Sequence, residues 1–248
     1  MNAASESTHR ERARWRQVVG WGALAASLAA NVGLAGACLE LYRREQRVRL
    51  HPTFPVPAAA APPAGRVQVL FLGDSRMQEW PDLPSERFAT INAGGGGETT
   101  AQIRLRAAAT LDAVRPQFVV LQAGMNDLKT MGALPDVAHD TEAACLANLS
   151  ALVALCRERG ARVVLVPILP AAKPSLVRLP VWSSEIDAAR RRVNAALRKR
   201  FASAAGIALL DERALGMDTA ADYRDTLHFR AETYTKLEAA ALKAIAAL

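Results

Sequence analysis

Short apolar runs alternate with segments of helical periodicity along residues 67–248, and this alternation limits the possible folds more than any other feature of the chain. A short continuous apolar run is typical of a strand that is buried on both faces. The predicted strands are Val67–Leu72, Ala89–Asn92, Phe118–Gln122, Val163–Ile168 and Ile207–Leu210. Because helices separate these strands, the sequence predicts an α/β domain in which helices cover both faces of a parallel sheet.

Four long helices are predicted in the same part of the chain. Their apolar residues recur three and four positions apart, which places them along one face of each helix. The predicted helices are Thr100–Val114, Glu142–Arg159, Ser184–Ala204 and Ala231–Leu248. In sheets of this kind, a site forms in the loops at the carboxyl ends of the strands.

A second feature is the apolar segment Val18–Leu41, which carries no charge before Glu40. As a helix it is long enough to span the hydrocarbon core of a bilayer. Residues 1–17 form a basic tail before it, and four arginines on each side leave its orientation unsettled. A basic leader before an apolar run favours a cytoplasmic N-terminus, so we expect a membrane anchor with the rest of the chain outside the cytoplasm.

Other interpretations of this segment remain open. Ala35-Gly36-Ala37 has the small residues of a signal-peptide cleavage site. Leu34–Cys38 resembles a bacterial lipobox, although one residue too many separates the leucine from the cysteine. A buried helix of a soluble domain fits less well, because arginines lie on both sides. We favour the uncleaved anchor, since the apolar run is long for the core of a signal peptide.

Residues 42–65 separate the apolar segment from the predicted folded domain. The first part is basic, and residues 51–65 contain five prolines among alanines. A segment of this composition is stiff and extended, so it predicts a spacer rather than a packed element. The folded domain is expected to occupy residues 66–248.

Charge and cysteine content argue against several classes of protein. The formal net charge is +7, but the sequence has no run of basic residues interspersed with aromatic ones and no nucleic-acid-binding motif. We therefore expect no nucleic-acid partner. Cys145 and Cys156 lie on one predicted helix at a separation of about 16 Å, which a disulfide does not span. No Cys-x-x-Cys or clustered histidine pattern suggests zinc.

Glycine-containing motifs follow the first two predicted strands. Gly73-Asp74-Ser75 comes directly after the first strand, where the serine is either a nucleophile with its N–H directed at an anion or the N-cap of a helix. Gly94–Gly97 follow the second strand, and glycine N–H groups can approach a ligand closely. The alternatives are a flexible loop or a phosphate cradle, but the Gly-Lys-Ser/Thr sequence of a phosphate-binding loop is missing.

Two further motifs supply polar side chains. Gly124-Met125-Asn126-Asp127 ends the third strand, where the Asn126 amide either donates to developing negative charge or forms an ordinary Asx turn. Asp225 and His228 lie three residues apart before the last helix. A carboxylate can hold a histidine in the tautomer that accepts a serine proton, although an isolated pair would also fit a surface turn. Together with Ser75, these groups predict a serine hydrolase.

The order of these motifs resembles that of the SGNH/GDSL hydrolase superfamily. Its blocks are matched by Gly73-Asp74-Ser75, Gly97-Glu98-Thr99, Gly124-Met125-Asn126-Asp127 and Asp225-Thr226-Leu227-His228. The resemblance runs from Val67 to the C-terminus and implies a three-layer α/β/α sandwich with a flavodoxin-like, five-stranded parallel sheet. It further implies a nucleophile, a base, an orienting carboxylate and an oxyanion hole. By this resemblance, Ser75 would be the nucleophile, His228 the base and Asp225 the orienting carboxylate. The oxyanion hole would be formed by the N–H groups of Ser75 and Gly97 and by the Asn126 amide.

Two positions depart from the pattern of this superfamily. Arg76 stands where many relatives carry an apolar residue. Glu98 replaces the commoner aspartate. Neither change affects a group to which the resemblance assigns a catalytic role.

The predicted activity is that of an ester hydrolase working through an acyl-enzyme on a small acyl ester or an acylated glycan, and this chemistry implies neither a metal nor an organic cofactor. A carbohydrate O-acetyl esterase of the cell envelope suits a tethered domain, whereas a lysophospholipase or thioesterase would use the same residues. An O-acetyltransferase to a polysaccharide stays an alternative, because water and a sugar hydroxyl compete for one acyl-enzyme. A non-catalytic anchored binding protein is least favoured, since every group of the motifs is present. The sequence predicts no oligomeric state.

One long predicted loop bears on the substrate. The segment Leu169–Ser183 follows the fourth strand and contains Lys173, Arg178 and Trp182. With Trp80 and Lys129, it could line a pocket for a sugar or an acidic group. Trp80 and Trp182 fit partly buried packing positions equally well.

Overall fold

The computed structural model describes residues 3–50, 66–84, 86–217 and 221–248. The chain divides into two compact units, residues 1–45 and residues 46–248. The proline-rich spacer predicted at residues 51–65 lies outside the described residues. The first unit is helical, and the second contains a sheet with a buried core on each face.

The N-terminal helix, α1, comprises Ala3–Leu50. Residues 42–50, which the sequence assigned to the basic part of a linker, continue this helix. The stretch Arg14–Leu50 is long and apolar enough to cross a membrane, with a mean hydropathy of 1.6 in its most apolar window and 0% of that window buried. At the helical rise, Val18–Leu41 measures about 36 Å, which exceeds the hydrocarbon core of a typical bilayer. The helix is therefore a candidate membrane span, as the sequence predicted.

Five parallel strands form the sheet of the second unit. They are β1 (Val67–Gly73), β2 (Phe88–Gly94), β3 (Phe118–Gln122), β4 (Arg162–Leu165) and β5 (Ile207–Leu209). Their order is β2-β1-β3-β4-β5, and all neighbouring pairs are parallel. This is the flavodoxin-like order, and the strand order reverses between β1 and β3, where ligands bind in such sheets. The predicted sheet is confirmed.

Helices follow the strands on both sides of the sheet. Those described after α1 are α2 (Ser75–Gln78), α3 (Thr100–Val114), α4 (Met125–Leu128), α5 (Ala138–Glu158), α6 (Glu185–Phe201) and α7 (Ala231–Ala247). Helix α3 begins with a capping box, in which the side chains of Thr99 and Gln102 each accept the other residue's backbone N–H.

Alternate residues of β1 point to opposite faces of the sheet, and each face has its own apolar core. Leu70 and Leu72 pack with buried residues of α3, α5 and α6. Val69 and Phe71 pack on the other side with residues of α7 such as Leu237. The two cores produce the three layers that the alternation of strands and helices predicted.

Several side-chain predictions are answered by these cores. Trp80 is 3% exposed and packs against the rings of Phe71 and Tyr234, so it is a packing residue and does not line a pocket. Trp182 is partly buried against the core of α3, α5 and α6. Cys145 and Cys156 are buried free thiols, as expected of small apolar residues.

Some predicted bounds are wrong, and hydrogen bonding explains the clearest case. The fourth strand was predicted to reach Ile168 but ends at Leu165. The Asn194 side chain of α6 accepts the Ile168 N–H at 2.9 Å and donates to its carbonyl at 3.0 Å, so no neighbouring strand is needed there. Strand β2 is longer than predicted because it pairs with β1 along its whole length, from Phe88 to Gly94. Helix α5 begins before the predicted Glu142, at Ala138.

Candidate active site

Ser75, His228 and Asp225 form a continuous chain of side-chain contacts. Ser75 Oγ lies 3.1 Å from His228 Nε2. His228 Nδ1 lies 2.8 Å from Asp225 Oδ2 and 3.2 Å from Oδ1. Because the carboxylate can only accept, the ring proton belongs on Nδ1, which leaves Nε2 to accept from the serine hydroxyl. The fold thus brings together Ser75 and a histidine 153 positions away, in the geometry of a nucleophile with its base.

The Asp225 carboxylate is held in its ionised form. Burial by itself raises its pKa, but hydrogen bonds to the charged form outweigh that effect. The backbone N–H groups of Leu227 and His228 donate to Oδ1 at 2.7 Å and 3.0 Å, and the His228 ring adds a further bond. Together they lower the pKa of Asp225 to about 2. At neutral pH the carboxylate is therefore charged and can orient the imidazole and stabilise its protonated form.

Asp74, the middle residue of the first motif, caps helix α2. Its Oδ1 accepts the backbone N–H of Arg76 at 3.0 Å. The alternative in which Ser75 is an ordinary N-cap is therefore wrong, and the serine hydroxyl is the group that faces His228. Gly73 is needed for another reason, because a Cβ there would lie 2.0 Å from the Gln122 carbonyl oxygen on the neighbouring strand.

Hydrogen-bond donors follow the carboxyl ends of β1, β2 and β3. The N–H groups of Ser75 and Gly97 have no hydrogen-bond acceptor among the described residues. Asn126 Nδ2 donates one hydrogen to the Glu98 carbonyl at 2.9 Å, and its second hydrogen has no acceptor in that part of the chain. Unpaired N–H groups are rare in folded proteins unless water or a ligand accepts them. The same three donors were predicted from the motifs, and each is available here to an anion.

Gly97 has a backbone conformation that explains the glycine. Its φ angle is +74°, in the left-handed region that residues with a Cβ rarely adopt. The motif position therefore needs glycine for its backbone, independently of any ligand.

Buried polar contacts hold the loop of Gly97 against its neighbours. The Arg106 guanidinium forms a buried ion pair with Glu98 at 2.5 Å and also donates to the Gly73 carbonyl at 3.2 Å. Asp127 accepts the backbone N–H of Thr100 at 2.9 Å and its hydroxyl at 2.5 Å. The loops after β1, β2 and β3 are in this way connected by the motif residues Glu98 and Asp127 and by Arg106 and Thr100, to which the sequence analysis gave no role.

Arg76, the departure from the superfamily pattern, is almost fully buried and donates to three carbonyl oxygens. Nε donates to Leu227 at 2.8 Å, and the two Nη atoms donate to Leu169 at 2.8 Å and Pro170 at 2.9 Å. Its charge also lies over the ring of Phe229, 4.7 Å from the centroid. Arg76 thereby connects the turn of Ser75 to the loop of Asp225 and His228. The only sequence signal for this role was a charged residue where an apolar one is usual.

Lys129, one of the residues that could line a substrate pocket, is bonded to Asn126. Lys129 Nζ donates to Asn126 Oδ1 at 2.6 Å, while Asn126 Nδ2 donates to the Glu98 carbonyl. The two bonds fix which end of the amide carries the N–H groups. They direct the Asn126 donor and place a positive charge beside it.

The family model for GDSL-like lipases and acylhydrolases matches residues 59–236, which is more than half of the chain. The chain therefore belongs to the GDSL-like lipase/acylhydrolase family. No curated protein matches the chain. Membership of this family makes the protein an ester-hydrolysing enzyme, and the sequence resemblance to GDSL hydrolases is confirmed.

Several solved structures have a similar fold. A GDSL-like lipase from Bacteroides thetaiotaomicron superimposes with a TM-score of 0.58 at 21% identity, over 73% of this chain and 89% of its own. A lipase/acylhydrolase from Enterococcus faecalis gives 0.55 at 22% identity, over 73% and 95%. An acetylxylan esterase from Geobacillus stearothermophilus gives 0.53 at 19% identity, over 72% and 93%. At these identities the likeness concerns the fold.

We predict that replacing Asp127 with asparagine makes the protein relatively more stable as pH rises from about 4 to 6. Burial raises the pKa of Asp127 to about 6, although the bonds from Thr100 oppose it. Between the ordinary value of 3.8 and that value, the unfolded carboxyl loses its proton before the folded one, so wild-type stability falls as pH rises. Asparagine does not titrate and can keep the bond from the Thr100 N–H.

Urea unfolding of both proteins in nonionic detergent at pH 4 and pH 7 measures this effect. The difference in unfolding free energy between variant and wild type is expected to shift in favour of the variant at pH 7. An equal difference at both pH values would contradict the raised pKa of Asp127.

Proposed function

We propose that this enzyme is a serine esterase in which Ser75, His228 and Asp225 form the catalytic triad. The observation that carries the proposal is the contact chain from Ser75 Oγ through His228 to Asp225. The enzyme class agrees with it, since GDSL acylhydrolases cleave esters. The unpaired N–H groups beside the nucleophile supply the second requirement of acyl transfer, a site for the oxyanion.

In the proposed mechanism, Ser75 Oγ attacks the ester carbonyl carbon while its proton passes to His228 Nε2. The carbonyl oxygen becomes an oxyanion that accepts hydrogen bonds from Ser75, Gly97 and Asn126. The C–O bond to the alcohol then breaks, and the departing alcohol takes the proton from His228. Water repeats the sequence on the acyl-enzyme, releasing the carboxylic acid and regenerating the serine.

We propose a carbohydrate O-acetyl ester of the cell envelope as the substrate. An acetylxylan esterase is among the proteins of similar fold, which supports an acetyl ester on a glycan. The apolar helix α1 supports an envelope location. Transfer of the acetyl group to a sugar hydroxyl would use the same acyl-enzyme, and product analysis with a labelled acetyl donor and a glycan acceptor separates the two outcomes.

Ser75→Ala and His228→Ala are each expected to abolish hydrolysis of 4-nitrophenyl acetate, because one removes the nucleophile and the other its base. Ser75→Ala should also abolish labelling by a fluorophosphonate. Near-ultraviolet circular dichroism provides the control for folding. Full activity in a folded Ser75→Ala protein would refute the mechanism.

Asn126→Ala is expected to lower kcat by about 10²–10³ with little change in KM, because the bond to the oxyanion strengthens only in the transition state. Steady-state kinetics with 4-nitrophenyl acetate measures the two constants separately. A change confined to KM would instead assign Asn126 to substrate binding.

We propose that α1 anchors the enzyme with its N-terminus in the cytoplasm and its catalytic domain outside. Alkaline phosphatase fused after Gly65 is then expected to be active, and green fluorescent protein at the same point dark. The protein should stay with membranes in high salt, since apolar burial is not screened by ions. Bright fluorescence at Gly65 would place the catalytic domain in the cytoplasm, and an N-terminus at Cys38 would show that the helix is cleaved.

A further inference from the structure

A cavity of about 360 Å³ opens beside Asp225. One wall is formed by residues 172–178, in the loop that follows β4, and the other by residues 223–226, which lead to His228. The cavity therefore adjoins the proposed triad at its carboxylate end. No step of the proposed mechanism involves a residue of this cavity other than Asp225.

Hydrogen bonds hold the two walls of this cavity together. The Ala172 N–H donates to the Thr226 carbonyl at 2.9 Å, and the Ser175 N–H donates to the Thr226 hydroxyl at 3.4 Å. The Tyr223 hydroxyl donates to the Pro170 carbonyl. These contacts position the charged side chains of the β4 loop relative to Asp225.

The charges on the cavity wall do not cancel. Lys173, Arg178 and Arg224 line it. Arg224 forms an ion pair with Glu79 at 2.6 Å, and Asp225 is bonded to His228. Neither Lys173 nor Arg178 forms an ion pair with any residue in the described ranges. Two positive charges are thus left facing an open cavity next to the reaction centre.

We propose that this cavity binds an anionic group on the alcohol part of the ester substrate. The inference rests on the proposed function, because His228 returns its proton to the departing alcohol, so the alcohol lies on the His228 side of the site. The acyl oxygen lies on the other side, toward Gly97 and Asn126. A carboxylate or a phosphate on the alcohol would meet Lys173 and Arg178 with charge-assisted hydrogen bonds.

Lys173 is exposed and Arg178 is half-buried, and this solvent access predicts the size and character of the effect. Exposed ion pairs contribute modestly and are weakened by salt, so the cavity should confer a preference for charged substrates and not an absolute requirement. The preference should appear in kcat/KM at low ionic strength and decline as salt is added.

Paired substrates test this proposal on the full-length protein in nonionic detergent. 4-Acetoxybenzoate and 4-acetoxybenzamide carry the same acetyl ester and differ in the charge at the far end of the ring. 4-Acetoxyphenyl phosphate replaces the carboxylate with a phosphate. We expect kcat/KM to be about three- to fivefold higher for at least one of the anionic esters than for the amide at low salt, as for an exposed ion pair. The better of the two anions identifies the acidic group.

Two variants connect that preference to the cavity. Lys173→Gln combined with Arg178→Gln should remove the preference and leave hydrolysis of the amide within about twofold of wild type, since surface changes away from the reacting atoms act weakly. Lys173→Arg combined with Arg178→Lys keeps both charges and should retain most of the preference for the anionic esters. Lys243→Gln, which removes a positive charge from an exposed position of α7 outside the cavity, is the control for a general effect of surface charge.

The outcomes separate this inference from the proposed function. Equal kcat/KM for the charged and neutral esters, with normal acetate release, would overturn the cavity proposal alone. The cavity proposal also fails if the Gln variant keeps the preference or if Lys243→Gln removes it. Failure to hydrolyse all three esters, together with no fluorophosphonate labelling of Ser75, would instead overturn the proposed serine esterase.

Discussion

The buried guanidinium of Arg76 connects the segments on which the geometry of the site depends. It bonds three carbonyl oxygens, two in the loop after β4 and one directly before His228. Without these donors the Leu169 and Leu227 carbonyl groups would lose their bonds, at a cost comparable to a lost hydrogen bond for each, whereas the Pro170 carbonyl would keep the bond from the Tyr223 hydroxyl. Ser75 follows β1, the first strand of the domain, whereas Asp225 and His228 lie about 150 positions later in the sequence, in the segment before α7. The parallel sheet places Ser75 at the carboxyl end of β1, and Arg76 bonds the histidine loop to the same end of the sheet.

Two aspartates in the sequence motifs have opposite electrostatic environments. Asp127 is buried, and its pKa is raised to about 6, while Asp225 is partly exposed and its pKa is lowered to about 2. The difference follows from what each carboxylate meets. Asp127 accepts two bonds from Thr100 in a dry interior and connects two loops, whereas Asp225 gains bonds from two backbone N–H groups and a histidine. This contrast agrees with a structural role for Asp127 and with the proposed role of Asp225 in orienting His228.

The loop between β4 and α6 links the fold to the proposed substrate preference. Its backbone is held by Asn194, Arg76 and Thr226, and its cations face the cavity beside Asp225. The proposed oxyanion donors lie in other loops, so side-chain changes at the solvent-facing positions Lys173 and Arg178 leave them in place, whereas the start of the loop is held in the core by Ile168 and Leu169. That division of labour is typical of parallel α/β domains, in which a rigid sheet positions loops that differ between relatives.

The sequence by itself determined the parallel sheet, the positions of Ser75, Asn126, Asp225 and His228 at its loops, and the apolar N-terminal helix, because apolar periodicity and short motifs are local properties. It was wrong at the end of β4, where the distant side chain of Asn194 bonds the Ile168 backbone, and it left Trp80 open between pocket and packing, which burial in the core decides in favour of packing. Only the tertiary structure could reveal that Arg76 is buried under three carbonyl groups and that Lys129 contacts Asn126. It alone shows that Lys173 and Arg178 face the cavity beside Asp225. These facts depend on which loops meet at one sheet edge, and contacts between residues far apart in the chain leave no periodic trace in it.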